Sequence, residues 1–224
     1  MEIVANVHLI PNIIANPYLI IDPDGLTLID AGLPGNDKKI LGYIVGLGRS
    51  PSDLKRIIIT HSDIDHVGSL SAIKQASGAR IYASAIESDA ISKGHSSRQI
   101  KPKNFFRKLL MGVAGRFMKV APISADETLS EGQVLPVLGG LRVVETPGHT
   151  PGHISLFSPS TGILFAGDSI VSRKGGLVRS VPANTWNEAK ANDSARKQAT
   201  LGARIVCSGH GSVVLDATDK FPKV

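Results

Sequence analysis

The sequence predicts an α/β fold built from short buried strands and amphipathic helices. Three observations support this prediction: β-rich apolar runs recur along the chain, apolar residues between some of them follow helical spacing, and polar residues come directly after several strands. In layered α/β folds the loops at strand ends usually carry the functional side chains. We therefore expect a site at one edge of the sheets.

The first half of the chain alternates strands and helices. A strand is predicted at Arg56–Thr60, because the run Ile57-Ile58-Ile59 is short, β-branched and apolar, as in strands buried on both faces. Asp22-Pro23-Asp24-Gly25 supplies strong turn residues between two earlier strands. The remaining predicted elements are strands at Val7–Ile10, Tyr18–Ile21, Leu26–Ile29 and Arg80–Ala83, and helices from about Asp37 to Leu47 and from about Ser69 to Gln75.

The second half resembles the first, in that its strands also end in His or Asp residues. A helix is predicted from about Trp186 to Leu201, ahead of a last strand at Arg204–Ser208. The other predicted strands are Gly132–Leu138, Leu141–Thr146, Ile154–Phe157 and Ile163–Ala166. No linker divides the sequence, so we expect one domain spanning residues 1–224.

The composition favours a soluble protein. Cys207 is the single cysteine, which excludes an internal disulfide and suits a reducing compartment. The N-terminus lacks the basic start and cleavage site of a signal peptide, and no stretch reaches the ~20 apolar residues that span a bilayer. We expect a cytoplasmic protein without stable membrane insertion.

The strongest chemical signal is the run His61-Ser62-Asp63-Ile64-Asp65-His66, which follows a predicted buried strand. Four potential metal ligands fall within six residues, a density that is unusual for a solvated loop. Taken alone, the run also fits a surface loop with two capping Asp residues. Its position after a buried strand favours the metal site.

Three later segments present the same residue types at strand ends. Thr146-Pro147-Gly148-His149 is a rigid turn that fixes the direction of an imidazole, and His153 lies four residues further on. Asp168 follows Gly167, and His210 follows Gly209. Each segment alone fits ordinary turn chemistry. Together, the four segments predict one shared metal site.

This set of motifs resembles the metallo-β-lactamase superfamily, in which H-x-H-x-D-H is followed by a His, a Gly-Asp and a late Gly-His. Leu28-Ile29-Asp30-Ala31-Gly32 is similar to an early strand-end motif of the family, with Asp30 supporting a ligand. The resemblance implies a four-layer αββα sandwich with metals at one edge. It implies a first ion on His61, Asp63 and His149, a second on Asp65, His66 and His210, and Asp168 between them.

The resemblance also implies a metal-dependent hydrolase. Imidazole and carboxylate ligands suit two divalent ions, with zinc first and iron or manganese as alternatives. A bound ion lowers the pKa of its water from ~15.7 towards ~7 and so supplies hydroxide. We expect attack on a small ester-like substrate, a lactone or thioester ahead of a β-lactam, with Asp65 as the catalytic residue that positions the water and transfers a proton.

Asp63 departs from the family, which usually has His at this position. The added carboxylate shifts the metal preference towards iron or manganese. It also resembles the iron-containing flavodiiron branch, so a redox enzyme is one alternative, and a non-catalytic metal-binding scaffold is another. Because Asp is shorter than His, binding of a single metal ion is a further alternative. His153 is expected to support a ligand or to be purely structural.

A basic, partly helical insertion is predicted at about residues 88–122. Between Ala90 and Ser124 the sequence has eight Lys or Arg residues and no acid, and apolar residues from Asn104 to Val120 mark one helical face. The insertion is expected to form a lid over the site or to pack against the core or the partner subunit of a homodimer, and a helix on a membrane surface is a third alternative. The expected partner is a small-molecule substrate, with no nucleic acid.

Overall fold

The computed structural model describes residues 1–98 and 120–224. The first sheet has seven strands whose spatial order equals their order in the chain. They are β1 (Glu2–Val4), β2 (Val7–Leu9), β3 (Tyr18–Asp22), β4 (Gly25–Ile29), β5 (Leu54–Ile58), β6 (Arg80–Ser84) and β7 (Glu127–Leu129). Strands β1 to β4 pair antiparallel, whereas β4 to β7 pair parallel.

Among the described residues, four α-helices lie between the strands of this sheet. They are α1 (Asp37–Gly46), the single turn α2 (Ile64–Val67), α3 (Leu70–Ser77) and α4 (Ala85–Ser92). Ile40 and Ile44 of α1, together with Leu70 and Ile73 of α3, are completely buried. The helical spacing of these apolar residues therefore reflects packing on the sheet.

The second sheet contains five strands in the order β14-β11-β10-β9-β8, and a separate hairpin pairs β12 with β13. The elements are β8 (Val134–Leu135), β9 (Leu141–Glu145), β10 (Ile154–Ser158), β11 (Ile163–Gly167), β12 (Ile170–Arg173), β13 (Gly176–Arg179), α5 (Glu188–Ala199) and β14 (Ile205–Ser208). Strands β11 and β14 pair parallel, so their carboxyl ends lie at the same edge.

Three buried apolar clusters formed by residues of 1–98 and 120–224 lie between the four layers of the fold. Ile57 and Ile59 belong to the cluster shared with α1 and α3, whereas Ile58 points the opposite way and packs against residues of the second sheet. A third cluster joins the second sheet to Ala195 of α5. Since side chains alternate across a strand, the Ile57-Ile58-Ile59 run fills two layers at once. The four-layer αββα sandwich is confirmed.

Several predicted boundaries were wrong. The strand expected at Gly132–Leu138 is reduced to β8, and beyond it the positive φ angles of Leu138, Gly139 and Gly140, 50°, 71° and 111°, turn the chain. Strands β1, β7, β12 and β13 and the helices α2 and α4 were not predicted. Most of the basic insertion, including the expected helix from Asn104 to Val120, lies outside the described residues.

In the described part of the chain, the predicted functional loops all lie at one edge of the sheets. Asp30 follows β4, His61 follows β5, Asp168 follows β11 and His210 follows β14. The loop between β9 and β10 carries His149 to the same edge. No helix among residues 1–98 and 120–224 is long and apolar enough to cross a bilayer.

Candidate metal centre

The first group of potential ligands joins two distant loops. Asp63 Oδ2 lies 3.1 Å from His149 Nε2 and 3.7 Å from His61 Nε2. One ligand atom from each of the three residues lies within 4.8 Å of the others, and all three side chains are buried. Asp63, although shorter than His, therefore reaches the centre.

A second group lies beside the first. Asp65 and His66 occupy the single-turn helix α2, and His210 Nε2 lies 3.2 Å from Asp65 Oδ2. Ligand atoms of these three residues also lie within 4.8 Å of one another. The single turn of α2 thus brings the side chains of the adjacent residues Asp65 and His66 to the same site.

Asp168 lies between the two groups. Its carboxylate oxygens are 3.4 Å from His66 Nε2, 3.6 Å from His149 Nε2 and 3.3 Å from His210 Nε2. Gly209 permits this approach, because a Cβ at that position would collide with Asp168 Oδ1. The structure thus brings all seven predicted ligand residues to one centre.

The imidazoles of His66 and His149 are oriented by bonds to their Nδ1 atoms. His66 Nδ1 lies 2.8 Å from Asp30 Oδ2, and Asp30 also accepts hydrogen bonds from the Thr60 backbone and hydroxyl. His149 Nδ1 contacts Ser180 Oγ at 2.8 Å. Because each Nδ1 is occupied, each Nε2 faces the centre, which is the arrangement that a metal-binding histidine needs.

His153 supports Asp168 rather than joining the centre directly. Its Nε2 accepts a hydrogen bond of 3.0 Å from the Asp168 backbone N–H, and its Nδ1 lies 2.8 Å from Thr146 Oγ1. Burial holds the pKa of His153 well below its ordinary value, so the ring is neutral. Because His153 contacts the ligand residue Asp168, its position favours support of a ligand over a purely structural role.

The centre fits divalent metal ions. Among the described residues, buried His61 Nε2, His66 Nε2 and Asp168 Oδ1 have no hydrogen-bond partner. Buried polar atoms are normally paired, and three that converge without partners indicate a ligand with positive charge. Nitrogen and carboxylate oxygen donors suit zinc, iron and manganese.

The centre is strongly polarised. Burial would raise the pKa of Asp63 and of Asp168, but neighbouring imidazoles outweigh it, with help from Arg98 at Asp63, and both pKa values lie well below the ordinary range. Burial would likewise lower the pKa of His66, yet Asp30 and Asp168 hold it well above its usual value. Hydrogen bonds to Asp168 and Asp65 raise the pKa of His210 to about 10.

The raised pKa of His210 predicts a pH effect in the metal-free protein. A His whose pKa is higher in the folded state stabilises it fully below pH ~6.5, the unfolded value. That contribution is lost as the pH rises towards about 10. Urea unfolding of chelator-treated protein at pH 7, 8.5 and 10 should show wild type losing stability relative to His210→Gln. Parallel profiles for the two proteins would contradict this assignment.

Arg98 is a site residue that sequence reasoning counted only as part of the basic segment. Its guanidinium contacts Asp63 through Nε and Nη2, with Nε 2.9 Å from Oδ2. Nη1 donates to the Asn184 carbonyl, and Ser96 Oγ donates to Asp63 Oδ1 at 2.6 Å. A buried carboxylate needs a cation or several hydrogen-bond donors. The presence of Asp at position 63, where the family usually has His, could therefore have predicted a partner such as Arg98.

A cavity of about 300 Å³ opens beside the centre. Two carboxylates line it, from Asp63 and Asp65, together with the segment that carries Arg98. The described lining residues are Ser62, Asp63, Ile64, Asp65, Gly94, His95, Ser96, Arg98 and Val120. Volumes near 300 Å³ lie at the small end of the range for small-molecule sites.

The chain is therefore an αββα sandwich with a cluster of His and Asp side chains at one edge, and this combination defines a class of metal-binding proteins. A family model described as the metallo-beta-lactamase superfamily matches residues 11–210. The chain belongs to the metallo-beta-lactamase superfamily, and this membership places it among metal-dependent hydrolases.

Relatives agree with this family. The chain is 31% identical to the uncharacterized protein YobT of Bacillus subtilis, over 92% of this chain and 87% of that protein. It is 28% identical to the probable metallo-hydrolase YflN of the same organism, over 94% and 85%. It is also 28% identical to a hydroxyacylglutathione hydrolase of Rhodobacter capsulatus, over 70% of this chain and 48% of that protein.

A solved structure agrees as well. The metallo-beta-lactamase family protein of Thermus thermophilus superimposes with a TM-score of 0.76 and 25% identity, over 98% of this chain and 78% of that one. The overall architecture is therefore shared along nearly the whole chain.

Proposed function

We propose that this protein hydrolyses a small ester-like substrate, with a thioester as the first candidate, using two divalent ions, zinc first. The observation that carries the proposal is the convergence of the seven predicted ligand residues beside a cavity of about 300 Å³. We assign the first ion to His61, Asp63 and His149. The second is assigned to Asp65, His66 and His210, with Asp168 between the two.

The ions would supply a water with its pKa lowered from ~15.7 to ~7 and Lewis-acid polarisation of a carbonyl. The chain's own contribution comes from oriented side chains. Asp65 lines the cavity and is partly exposed, so its carboxylate can orient the attacking water and pass the proton of that water to the leaving group. His153 and Asp30 hold Asp168 and His66 in place.

The substrate class is inferred from size and from relatives. A cavity of this volume suits a small molecule. Hydroxyacylglutathione hydrolases are named for cleavage of a thioester, but the chain spans about half the length of the matched one. We therefore propose the bond type alone, namely a thioester, lactone or ester.

Activity assays on metal-reconstituted protein test this function. Zinc, manganese and iron(II) would each be supplied, and thioesters, lactones, aryl esters, phosphodiesters and β-lactams would each be offered. We expect thioester, lactone or ester hydrolysis to exceed β-lactam hydrolysis and to disappear with chelation. Asp65→Asn should lower kcat by about 10²- to 10⁴-fold, the usual contribution of a proton-transfer group.

Asp216→Asn is a matched control, since Asp216 is exposed and lies outside the centre. Its kcat should equal that of wild type. Inactivity with every metal and substrate would favour the metal-binding scaffold, and turnover that consumed a reductant or oxidant would favour the redox alternative. Either result would refute hydrolysis.

A further inference from the structure

Glu87 is a buried carboxylate that the hydrolytic scheme does not use. It lies in the first turn of α4, its exposed fraction is 0%, and it was not among the predicted site residues. Its two oxygens accept five hydrogen bonds from four residues. Such a concentration of donors on one buried group calls for an explanation.

Three of the four donor residues lie in the two loops that carry the first group of ligands, and the fourth, Ser97, lies after α4. Ser62, between His61 and Asp63, donates to Oε2 through its backbone N–H at 2.9 Å and its hydroxyl at 2.5 Å. Thr150, directly after His149, donates to Oε1 through its hydroxyl at 2.6 Å. Glu87 thus links the loop of His61 and Asp63 to the loop of His149 through hydrogen bonds from both loops.

Two further bonds extend this connection. The Gly152 N–H donates to Oε1 at 3.0 Å, and Ser97 Oγ donates to the same oxygen at 2.8 Å. Gly152 precedes His153, and Ser97 precedes Arg98. Every residue that Glu87 binds is therefore a chain neighbour of a residue that forms or supports the centre.

The contact between α4 and the β9–β10 loop is close. Ser84 Oγ donates to the Gly152 carbonyl at 2.6 Å. A Cβ on residue 152 would lie 2.7 Å from Ile86 Cβ and 2.9 Å from Glu87 Oε1. The two sides are in close contact and share two hydrogen bonds, so the position of Glu87 affects the loop that holds His149.

We propose that Glu87 is a positioning residue that sets the distance between the two loops of the first ion site, and this inference rests on the proposed function. The second group depends on it less, because Asp65, His66 and His210 lie on α2 and after β14. Loss of Glu87 should therefore weaken the first site selectively. A residue that only stabilised the fold would weaken both sites alike.

Glu87→Gln is the sharpest test. Each carboxylate oxygen accepts one backbone N–H, from Ser62 or from Gly152. An amide has one acceptor oxygen, so in either orientation its NH₂ group faces one of these N–H groups. The side chain keeps its size, yet one buried donor loses its acceptor.

Zinc binding would be measured by competition with a chromophoric chelator, on chelator-treated full-length protein. Asp63→Ala and Asp65→Ala identify which binding step belongs to which site. Glu87→Gln should weaken the first site by about 10- to 100-fold, as for other partners of metal ligands, and leave the second within about 3-fold. Asp22→Asn is the control, since Asp22 accepts the Leu138 N–H at the end of β3.

Thr150→Val is a milder variant that removes one bond to Glu87, and it decides the matter if Glu87→Gln does not fold. We expect it to weaken the first site by about 2- to 10-fold, the usual effect of one hydrogen bond. Unchanged zinc affinity in a folded Glu87→Gln protein, or equal weakening of both sites, would overturn the proposal. Wild-type protein that bound no divalent ion would instead refute the proposed function.

Discussion

Replacing Asp168 with alanine is expected to abolish hydrolysis and to remove most of the bound metal. Asp168 is buried, lies between the two groups of ligands and contacts three imidazoles at 3.3 to 3.6 Å. Its loss removes the carboxylate assigned to both ions. Loss of a residue that only supports a ligand typically lowers activity by about 10- to 100-fold, and we expect a larger decrease for Asp168→Ala.

Metal analysis and steady-state kinetics of the same preparation check this expectation. Both metal content and kcat should decline, whereas Asp219→Ala, which alters an exposed carboxylate, should match wild type. A variant that retained two ions and wild-type kcat would show that Asp168 is not a ligand. The assignment of the two groups to one metal centre would then fail.

Replacing Arg98 with alanine should destabilise the metal-free protein far more than the zinc-bound protein. Arg98 supplies a guanidinium to Asp63, and both side chains are only 9% exposed. Removing one partner of a buried pair costs about 3 kcal/mol, because the other charge is left uncompensated. A bound ion provides positive charge to the same carboxylate, so zinc should reduce this loss to about 1 kcal/mol.

The difference of about 2 kcal/mol corresponds to about 30-fold tighter zinc binding in Arg98→Ala. Urea unfolding with and without zinc, together with zinc titration, measures both quantities. Arg196→Ala is the control, because Arg196 pairs with Asp193 on an exposed face of α5 and such pairs contribute less than about 1 kcal/mol. Equal destabilisation of the metal-free and zinc-bound forms would contradict the role given to Arg98.

Much of the fold could be predicted because burial leaves a periodic signal. The alternation in Ile57-Ile58-Ile59 and the spacing of Ile40 and Ile44 follow directly from packing in layers. Helix α4 was missed because it is short and packs mainly through Ala90 and Ile91. The hairpin of β12 and β13 was missed because its two strands, within the part of the chain that the structure describes, pair with each other and with neither large sheet.

The ligand residues could be predicted because they are concentrated in short motifs after strands. Arg98, Ser180 and Glu87 could not, because their partners lie far along the chain. Arg98 is 35 residues from Asp63, and Ser180 is 31 residues from His149. Such pairs have no period, and the folded topology alone brings them together.

Strand β5 restricts how this centre can vary among related chains. It is bonded in parallel to β4 on one side and to β6 on the other, and its isoleucines fill layers on both faces. Inserting or deleting one residue there would exchange those faces and invert the loop that follows. Natural variation at the ligands should therefore arise by substitution at fixed loop length, and Asp63 in the place usually held by His is a change of this kind.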